Sequence, residues 1–122
     1  MNPLRSLIKN KKPIINGWLM LPCPLSAEIM ARQGYDSLVI DMQHGYADFD
    51  VATKMMQSIG TAKPSVTPIV RVPWNEPGII MKVLDAGAYG VICPMISNRS
   101  QAEEFVRSCM YPPEAHHSRP CN

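Results

Sequence analysis

The sequence lacks a hydrophobic run long enough to cross a bilayer. Its longest apolar stretch, residues 17–25, is broken by Pro22 and Pro24 and falls well short of the ~20 residues that a membrane span requires. No apolar segment of the signal-peptide kind follows the basic N-terminus. We therefore predict a soluble, cytoplasmic protein with no membrane partner.

Aromatic residues and charge of one sign are also scarce. Aromatics make up 7% of the 122 residues, and the formal net charge is +2. Basic residues interleaved with aromatics, which are typical of nucleic-acid-binding proteins, form no stripe here. The composition thus argues against nucleic acid as a partner. With 46% hydrophobic residues it indicates one globular domain.

Closely spaced cysteines are absent as well. Cys23, Cys93, Cys109 and Cys121 show no C-x-x-C spacing, which argues against a zinc ribbon or a thioredoxin-like redox motif. Reduced thiols in a cytoplasmic protein are therefore favoured over disulfides or zinc ligands.

The sequence does contain four short apolar runs, separated by helix-like stretches and by many of its 12 prolines. Continuous apolar runs are typical of strands in a parallel sheet that is covered on both faces. The runs cover residues 14–21, 37–41, 67–72 and 89–93. The alternation predicts an α/β fold of right-handed (β/α) units. Four units are about half of a TIM barrel, whose usual length is ~250 residues, so a truncated barrel is expected.

Local signals predict where the helices begin and end. Ser26, Asn75 and Ser100 are candidate N-caps. Gly60 is a candidate stop for the helix that Asp48 or Asp50 begins.

Polar residues concentrate directly after two of the predicted strands. Asp41 ends the second strand, His44 follows it in a loop, and Arg71 comes at the end of the third strand. Because the carboxyl ends of parallel strands meet at one edge of the sheet, these side chains are expected to lie close together. A base beside a fixed cation suits chemistry in which a proton moves and an oxyanion forms.

Each candidate residue also has a purely structural interpretation. His44 is equally typical of a solvent-facing loop residue, and Arg71 of an ion-pair partner for Asp41. Trp18 is typical of packing, and Asp85, at a predicted helix end, of a surface charge that the helix dipole slightly disfavours. Composition and spacing therefore leave the function undecided.

Five motifs go further, and their order and spacing resemble those of the HpcH/HpaI aldolase family. They are residues 17–19 (GWL), 38–45 (LVIDMQHG), 70–77 (VRVPWNEP), 84–88 (LDAGA) and 111–113 (YPP). The combination of DMQHG with RVPWN, 25 residues further on, is more specific than any single motif. The resemblance extends over residues 5–114.

The resemblance implies a metal-dependent class II aldolase that cleaves 4-hydroxy-2-oxo acids into pyruvate and an aldehyde. It implies a (β/α)8 barrel, a 2-oxo acid as ligand, and either a homo-oligomer or association with a C-terminal half. The implied cofactor is a divalent metal: Mg²⁺, Mn²⁺ or Co²⁺. Its carboxylate ligands lie in the C-terminal half of family members, so this chain is expected not to bind the metal alone.

The resemblance also assigns roles residue by residue. His44 matches the base that acts on the 4-hydroxyl group, and Arg71 matches the arginine that stabilises the enolate oxygen of pyruvate. Asp85 matches the aspartate that partners the histidine, although a helix end lies opposite the carboxyl edge, so a neighbouring subunit is a possible source of that contact. Three further residues match substrate-binding positions: Trp18, Asp41 and Gln43.

On this interpretation, residues 1–114 are the N-terminal half of the aldolase barrel and residues 115–122 are a divergent tail. The tail carries His116, His117 and Cys121, and a metal cluster made of these three is an alternative. The chain is then expected to be inactive by itself. A function of another class, a non-catalytic half-barrel that associates with itself or with a missing half, stays open.

Overall fold

The computed structural model describes residues 2–111 as four parallel strands that alternate with helices. The elements in chain order are α1 (Pro3–Lys9), β1 (Asn16–Leu19), α2 (Pro24–Ala31), β2 (Ser37–Asp41), α3 (Phe49–Ala62), β3 (Thr67–Arg71), α4 (Pro77–Asp85), β4 (Gly90–Ile92) and α5 (Arg99–Ser108). The predicted α/β class is confirmed. The short helix α1 was not predicted.

The strands lie in the sheet in the order in which they occur in the chain, β1-β2-β3-β4, and every pair is parallel. The register sets Ser37 beside Thr67 at the amino edge and Asp41 beside Arg71 at the carboxyl edge. One helix connects each strand to the next, as in the first four units of a (β/α)8 barrel.

The hydrophobic core lies between the sheet and the helices. Leu38, Ile40 and Val70 are fully buried and pack in one cluster with Met55 and Ile59 of α3. Side chains alternate along a strand, so the residues next to these in sequence face the opposite side of the sheet. Asp41 and Arg71 therefore belong to the inner face, away from the helical layer.

The predicted N-caps Ser26, Asn75 and Ser100 are all wrong, and those of α4 and α5 are replaced by neighbouring residues that do cap the helix. Glu76, not Asn75, caps α4, and its carboxylate accepts from two main-chain N–H groups, both at 2.8 Å. Asn98, not Ser100, caps α5 and accepts from one N–H at 3.0 Å. Asn75 instead donates to a main-chain carbonyl of α5, a tertiary contact that local sequence does not encode.

The predictions for α2 and α3 need smaller corrections. Cys23, not the predicted Ser26, is the N-cap of α2, and Ser26 lies inside the helix and donates to the carbonyl of Cys23. Ile29 is 53% exposed because Ala27 and Ala31 occupy the buried face. α3 begins after its predicted cap Asp48 but continues for two residues past Gly60. A glycine inside a helix weakens it by only about 1 kcal/mol relative to alanine, and the packing of α3 on the core outweighs that.

Apolar side chains are exposed on both flanks of the sheet. Beside β1 these include Ile15, Leu21 and Leu25, each at least 60% exposed. Beyond β4 they include Met95 and Val106. Within residues 2–111, β1 and β4 each pair on one side only. No helix in this range is both long and apolar enough to span a membrane.

Candidate active site

Asp41 and Arg71 form a two-point ion pair at the carboxyl edge of the sheet. Arg71 Nε donates to Asp41 Oδ1 at 2.9 Å, and Nη2 donates to Oδ2 at 2.5 Å. The side chain of Asp41 is fully buried, whereas that of Arg71 is 21% exposed. The pair fixes the plane of the guanidinium group, and only two of its five N–H groups are used to do so.

Trp18, at the end of β1, contacts both members of this pair. Its indole Nε1 donates to Asp41 Oδ2 at 3.1 Å. The guanidinium carbon of Arg71 lies 5.0 Å from the ring centroid, within the range of a cation–π interaction. The indole is 43% exposed, so it forms one wall beside Arg71 and is not buried packing.

The loop after β2 folds back over Asp41. The main-chain N–H groups of Gln43 and His44 donate to Asp41 Oδ1 at 2.9 and 3.1 Å. The N–H of Tyr46 donates to the carbonyl of Met20 beyond the end of β1. These bonds hold the loop at the carboxyl edge, where His44 is exposed and Gln43 is half-buried.

Gly45 makes this fold of the loop possible, and its role was missed in the sequence. A Cβ on Gly45 would overlap the main-chain carbonyl oxygen of Asp41 and come within 3.2 Å of the Asp41 Cβ. Any other residue would push the loop away from the strand end. The available signal was a glycine directly after a candidate base in a strand-end loop.

The charge of Asp41 is set by its surroundings. Burial alone raises the pKa of Asp41, but donation from Arg71, Trp18 and the loop N–H groups outweighs it and holds the pKa well below its usual range. The hydrogen bond to Asp41 raises the pKa of Arg71 further. The pair therefore stays charged at every physiological pH.

The ion pair is expected to lose its stabilising effect in acid. The pKa of Asp41 is lower in the folded protein than in the unfolded protein, where it is about 4, so ionised Asp41 stabilises the fold at pH values above about 4. This contribution to stability falls as the pH drops below that value. In urea unfolding at a series of pH values, the difference in free energy of unfolding between the wild type and Asp41→Asn is expected to narrow below pH ~4.

Asp50→Asn is the matched control for this measurement. Asp50 pairs with Lys54 on the surface of α3, and exposed pairs contribute at most about 1 kcal/mol. If the difference in free energy of unfolding between the wild type and Asp41→Asn stays constant from neutral to acid pH, the assignment of the stabilising charge to Asp41 is contradicted.

Asp85 lies apart from the other candidates. It ends α4, is exposed, and accepts from the hydroxyl group of Tyr111 at 2.5 Å. A cavity of about 270 Å³ adjoins it and is lined by residues at the C-terminal ends of α4 and α5 and by Tyr111. Helix ends in βα units lie at the amino edge of the sheet, so the fold does not bring Asp85 to His44 within one chain. Its partnership with His44 stays a prediction.

The described residues do not fit a divalent cation. Across residues 2–111, no three His, Cys, Asp or Glu side chains are grouped so that they could hold a metal ion. Asp41, the carboxylate nearest to Arg71, accepts five hydrogen bonds from this chain. His116, His117 and Cys121 lie outside the described residues. The three cysteines within them, Cys23, Cys93 and Cys109, are free thiols.

Curated relatives of this chain include aldolases. The chain is 42% identical over 113 residues to the hydroxypyruvate/pyruvate aldolase of Rhizorhabdus wittichii, covering 93% of this chain and 44% of that protein. It is 36% identical over 113 residues to the 5-keto-4-deoxy-D-glucarate aldolase of Escherichia coli, covering 93% of this chain and 43% of that protein. The chain thus spans less than half the length of these relatives.

A solved structure supports the same relationship. All of this chain superimposes on 48% of an HpcH/HpaI aldolase/citrate lyase family protein from Burkholderia cenocepacia, with a TM-score of 0.89 and 32% identity. The expectation that the chain corresponds to about half of such a fold is confirmed. Residues 15–120 match the HpcH/HpaI aldolase/citrate lyase family. The chain therefore belongs to the HpcH/HpaI aldolase/citrate lyase family.

Proposed function

We propose that this chain supplies the base and the oxyanion-binding group of an aldolase that cleaves 4-hydroxy-2-oxo acids into pyruvate and an aldehyde. The observation that carries the proposal is the orientation of Arg71. Asp41 holds its guanidinium by two N–H groups and leaves the other three for a ligand at the carboxyl edge. The loop that carries His44 is bonded to the same carboxylate.

The chemistry needs a base and a fixed cation at this place. His44 accepts the proton of the 4-hydroxyl group, directly or through a water, and the bond between C3 and C4 breaks. The aldehyde leaves, and the electron pair passes to the enolate of pyruvate, whose negative charge gathers on the C2 oxygen. Arg71 stabilises that oxygen, and protonation at C3 then completes pyruvate.

Trp18 and Gln43 complete the proposed substrate site. The half-exposed indole of Trp18 covers one face of the guanidinium group, which restricts the side from which a 2-oxo acid approaches. Gln43 follows Asp41 in the loop and is half-buried, so its amide is available to bind the polar end of the substrate.

We also propose that residues 2–111 are not active without a further segment. They hold no group of three His, Cys, Asp or Glu side chains that could bind the divalent metal that the family resemblance implies.

A retro-aldol assay tests this proposal. The chain alone is compared with a fusion protein in which residues 1–111 precede the C-terminal part of the Rhizorhabdus wittichii relative, which is 42% identical over the matched region. We expect pyruvate release from 4-hydroxy-2-oxo acids with the fusion protein and Mg²⁺, Mn²⁺ or Co²⁺, and none with the chain alone. A soluble fusion protein without activity would contradict the proposal.

The partner that we propose is a second half-barrel, either another copy of this chain or a C-terminal half. Both edge strands carry exposed apolar neighbours, and parallel strands on each side would pair with them. The edge strands with exposed apolar neighbours also favour the second candidate function, a non-catalytic half-barrel module. Such a module would associate with a second half-barrel but would show no activity in the fusion protein.

The purified chain is accordingly expected to self-associate. Exposed edge strands and apolar flanks are the surfaces through which sheets pair, so the mass in solution is expected to exceed the 13.6 kDa of one chain. Size-exclusion chromatography with light scattering measures this. A monodisperse monomer with one sharp melting transition would contradict the expectation.

A further inference from the structure

One oxygen atom of Asp41 anchors both of the groups to which the proposed function assigns chemistry. Asp41 Oδ1 accepts from Arg71 Nε at 2.9 Å and from the main-chain N–H of His44 at 3.1 Å. The cation and the residue that carries the base are thus tied to the same point on β2, although they belong to different βα units. Movement of either one changes the geometry of the other.

Asp41 has no hydrogen-bonding capacity left for a substrate. A carboxylate offers about four lone-pair sites, and five donors from this chain occupy them. The side chain is also fully buried. Its contribution to the site therefore passes through the residues that it holds.

Gly45 determines whether the loop can reach this carboxylate. The N–H groups of Gln43 and His44 point at Asp41 only because the next residue passes directly over the Asp41 main chain, where a Cβ would overlap the carbonyl oxygen. The three atoms nearest to a Cβ at Gly45 all belong to Asp41. A change at Gly45 is therefore expected to reach Arg71 through Asp41.

We propose that Asp41 is a positioning residue that fixes Arg71 and the His44 loop relative to each other, and that Gly45 is the residue that permits this arrangement. The proposal rests on the proposed function and deepens it. A carboxylate that merely neutralised Arg71 would leave the guanidinium and the loop independent of each other. Coupling between the two is therefore the decisive property.

Hydrogen exchange in the ¹⁵N-labelled full chain, measured by NMR without ligand, tests the coupling. In Gly45→Ala, the Arg71 Nε–H is expected to exchange about tenfold faster, as for the loss of one hydrogen bond to a charged group. Gly60→Ala is the matched control, because a Cβ at Gly60 in α3 meets no atom within 4 Å. An unchanged Arg71 Nε–H in folded Gly45→Ala would overturn the proposal.

Arg71→Lys tests the coupling in the opposite direction and does not depend on Gly45→Ala being folded. Lysine keeps the positive charge but lacks the Nε–H and the two-point geometry. The main-chain N–H groups of Gln43 and His44 are expected to exchange about tenfold faster, whereas the core amide of Ile40 changes less. Unchanged exchange at both loop amides would overturn the proposal.

The unmodified chain gives a check that needs no variant. If Asp41 holds both groups, the Arg71 Nε–H and the His44 N–H open together, and their protection factors are expected to agree within about tenfold. A larger difference would overturn the proposal.

Titration of the fusion protein with oxalate, a stable mimic of the pyruvate enolate, in the presence of Mg²⁺ separates this inference from the proposed function. The affinity of the parent fusion protein for oxalate is expected to fall about tenfold in Gly45→Ala and to stay unchanged in Gly60→Ala. No binding to the parent fusion protein would count against the proposed function, whereas the ligand-free exchange rates of the chain would still decide the role of Asp41. Binding to the parent fusion protein with equal affinity for Gly45→Ala would overturn the positioning role alone.

Discussion

Replacing Arg71 by alanine in the fusion protein is expected to lower kcat about 10²- to 10³-fold, the loss typical of removing one oxyanion-stabilising donor. The negative charge on the C2 oxygen develops fully only as the bond between C3 and C4 breaks. The interaction with Arg71 is therefore stronger in the transition state than in the bound substrate, and the loss is expected in kcat more than in KM. Initial rates of pyruvate release over a range of substrate concentrations measure both constants.

Arg32→Ala is the matched control for this change. Arg32 forms an exposed i,i+4 pair with Glu28 on α2, far from the carboxyl edge. Its removal is expected to leave kcat unchanged. Arg71→Lys is expected to recover little of the activity, because a lysine keeps the charge but cannot form the two-point contact with Asp41. Near-normal turnover in Arg71→Ala would show that another group stabilises the enolate.

Replacing His44 by alanine in the fusion protein is expected to lower kcat about 10²- to 10⁴-fold, the range typical of losing a general base. The imidazole is exposed at the tip of the loop after β2, so its removal leaves the bonds of the loop to Asp41 in place. Folding and oxalate affinity are therefore expected to stay close to those of the parent fusion protein. Steady-state rates and an oxalate titration on the same sample measure the two effects.

Two outcomes would contradict the assignment of His44. Near-normal turnover in His44→Ala would show that the proton is accepted elsewhere. Loss of oxalate affinity together with turnover would show that His44 binds the ligand or holds the metal of the fusion protein, and that its role as a base is wrong.

The placement of Asp41 and Arg71 could be predicted from local sequence. Each follows a continuous apolar run, and such runs are typical of parallel strands whose carboxyl ends meet at one edge. The alternative that these two residues form an ion pair is confirmed. It is compatible with the oxyanion role, because the pair leaves three N–H groups of the guanidinium unused.

The helix boundaries were harder to predict. Asn75 and Ser100 have the chemistry of N-caps, but Glu76 and Asn98 take those positions in the structure. Asn98 and Ser100 have similar capping ability, and Glu76 caps α4 although asparagine is the more favoured N-cap residue, so tertiary contacts override the local preference. The contact of Asn75 with α5 is one of these.

Periodicity and strand-end chemistry were enough to predict the βα order, the edge at which the polar residues collect, and the placement of Asp85 at the opposite edge. These features follow from the spacing of residues that are only a few positions apart in the sequence. The same signals offered the pairing of Asp41 with Arg71 only as one of two alternatives. The five donors on Asp41 and the close passage of Gly45 depend on the folded structure. The sheet register brings Trp18 and Arg71 to Asp41 from other strands. The path of the loop after β2 turns Gln43, His44 and Gly45 back over the same residue.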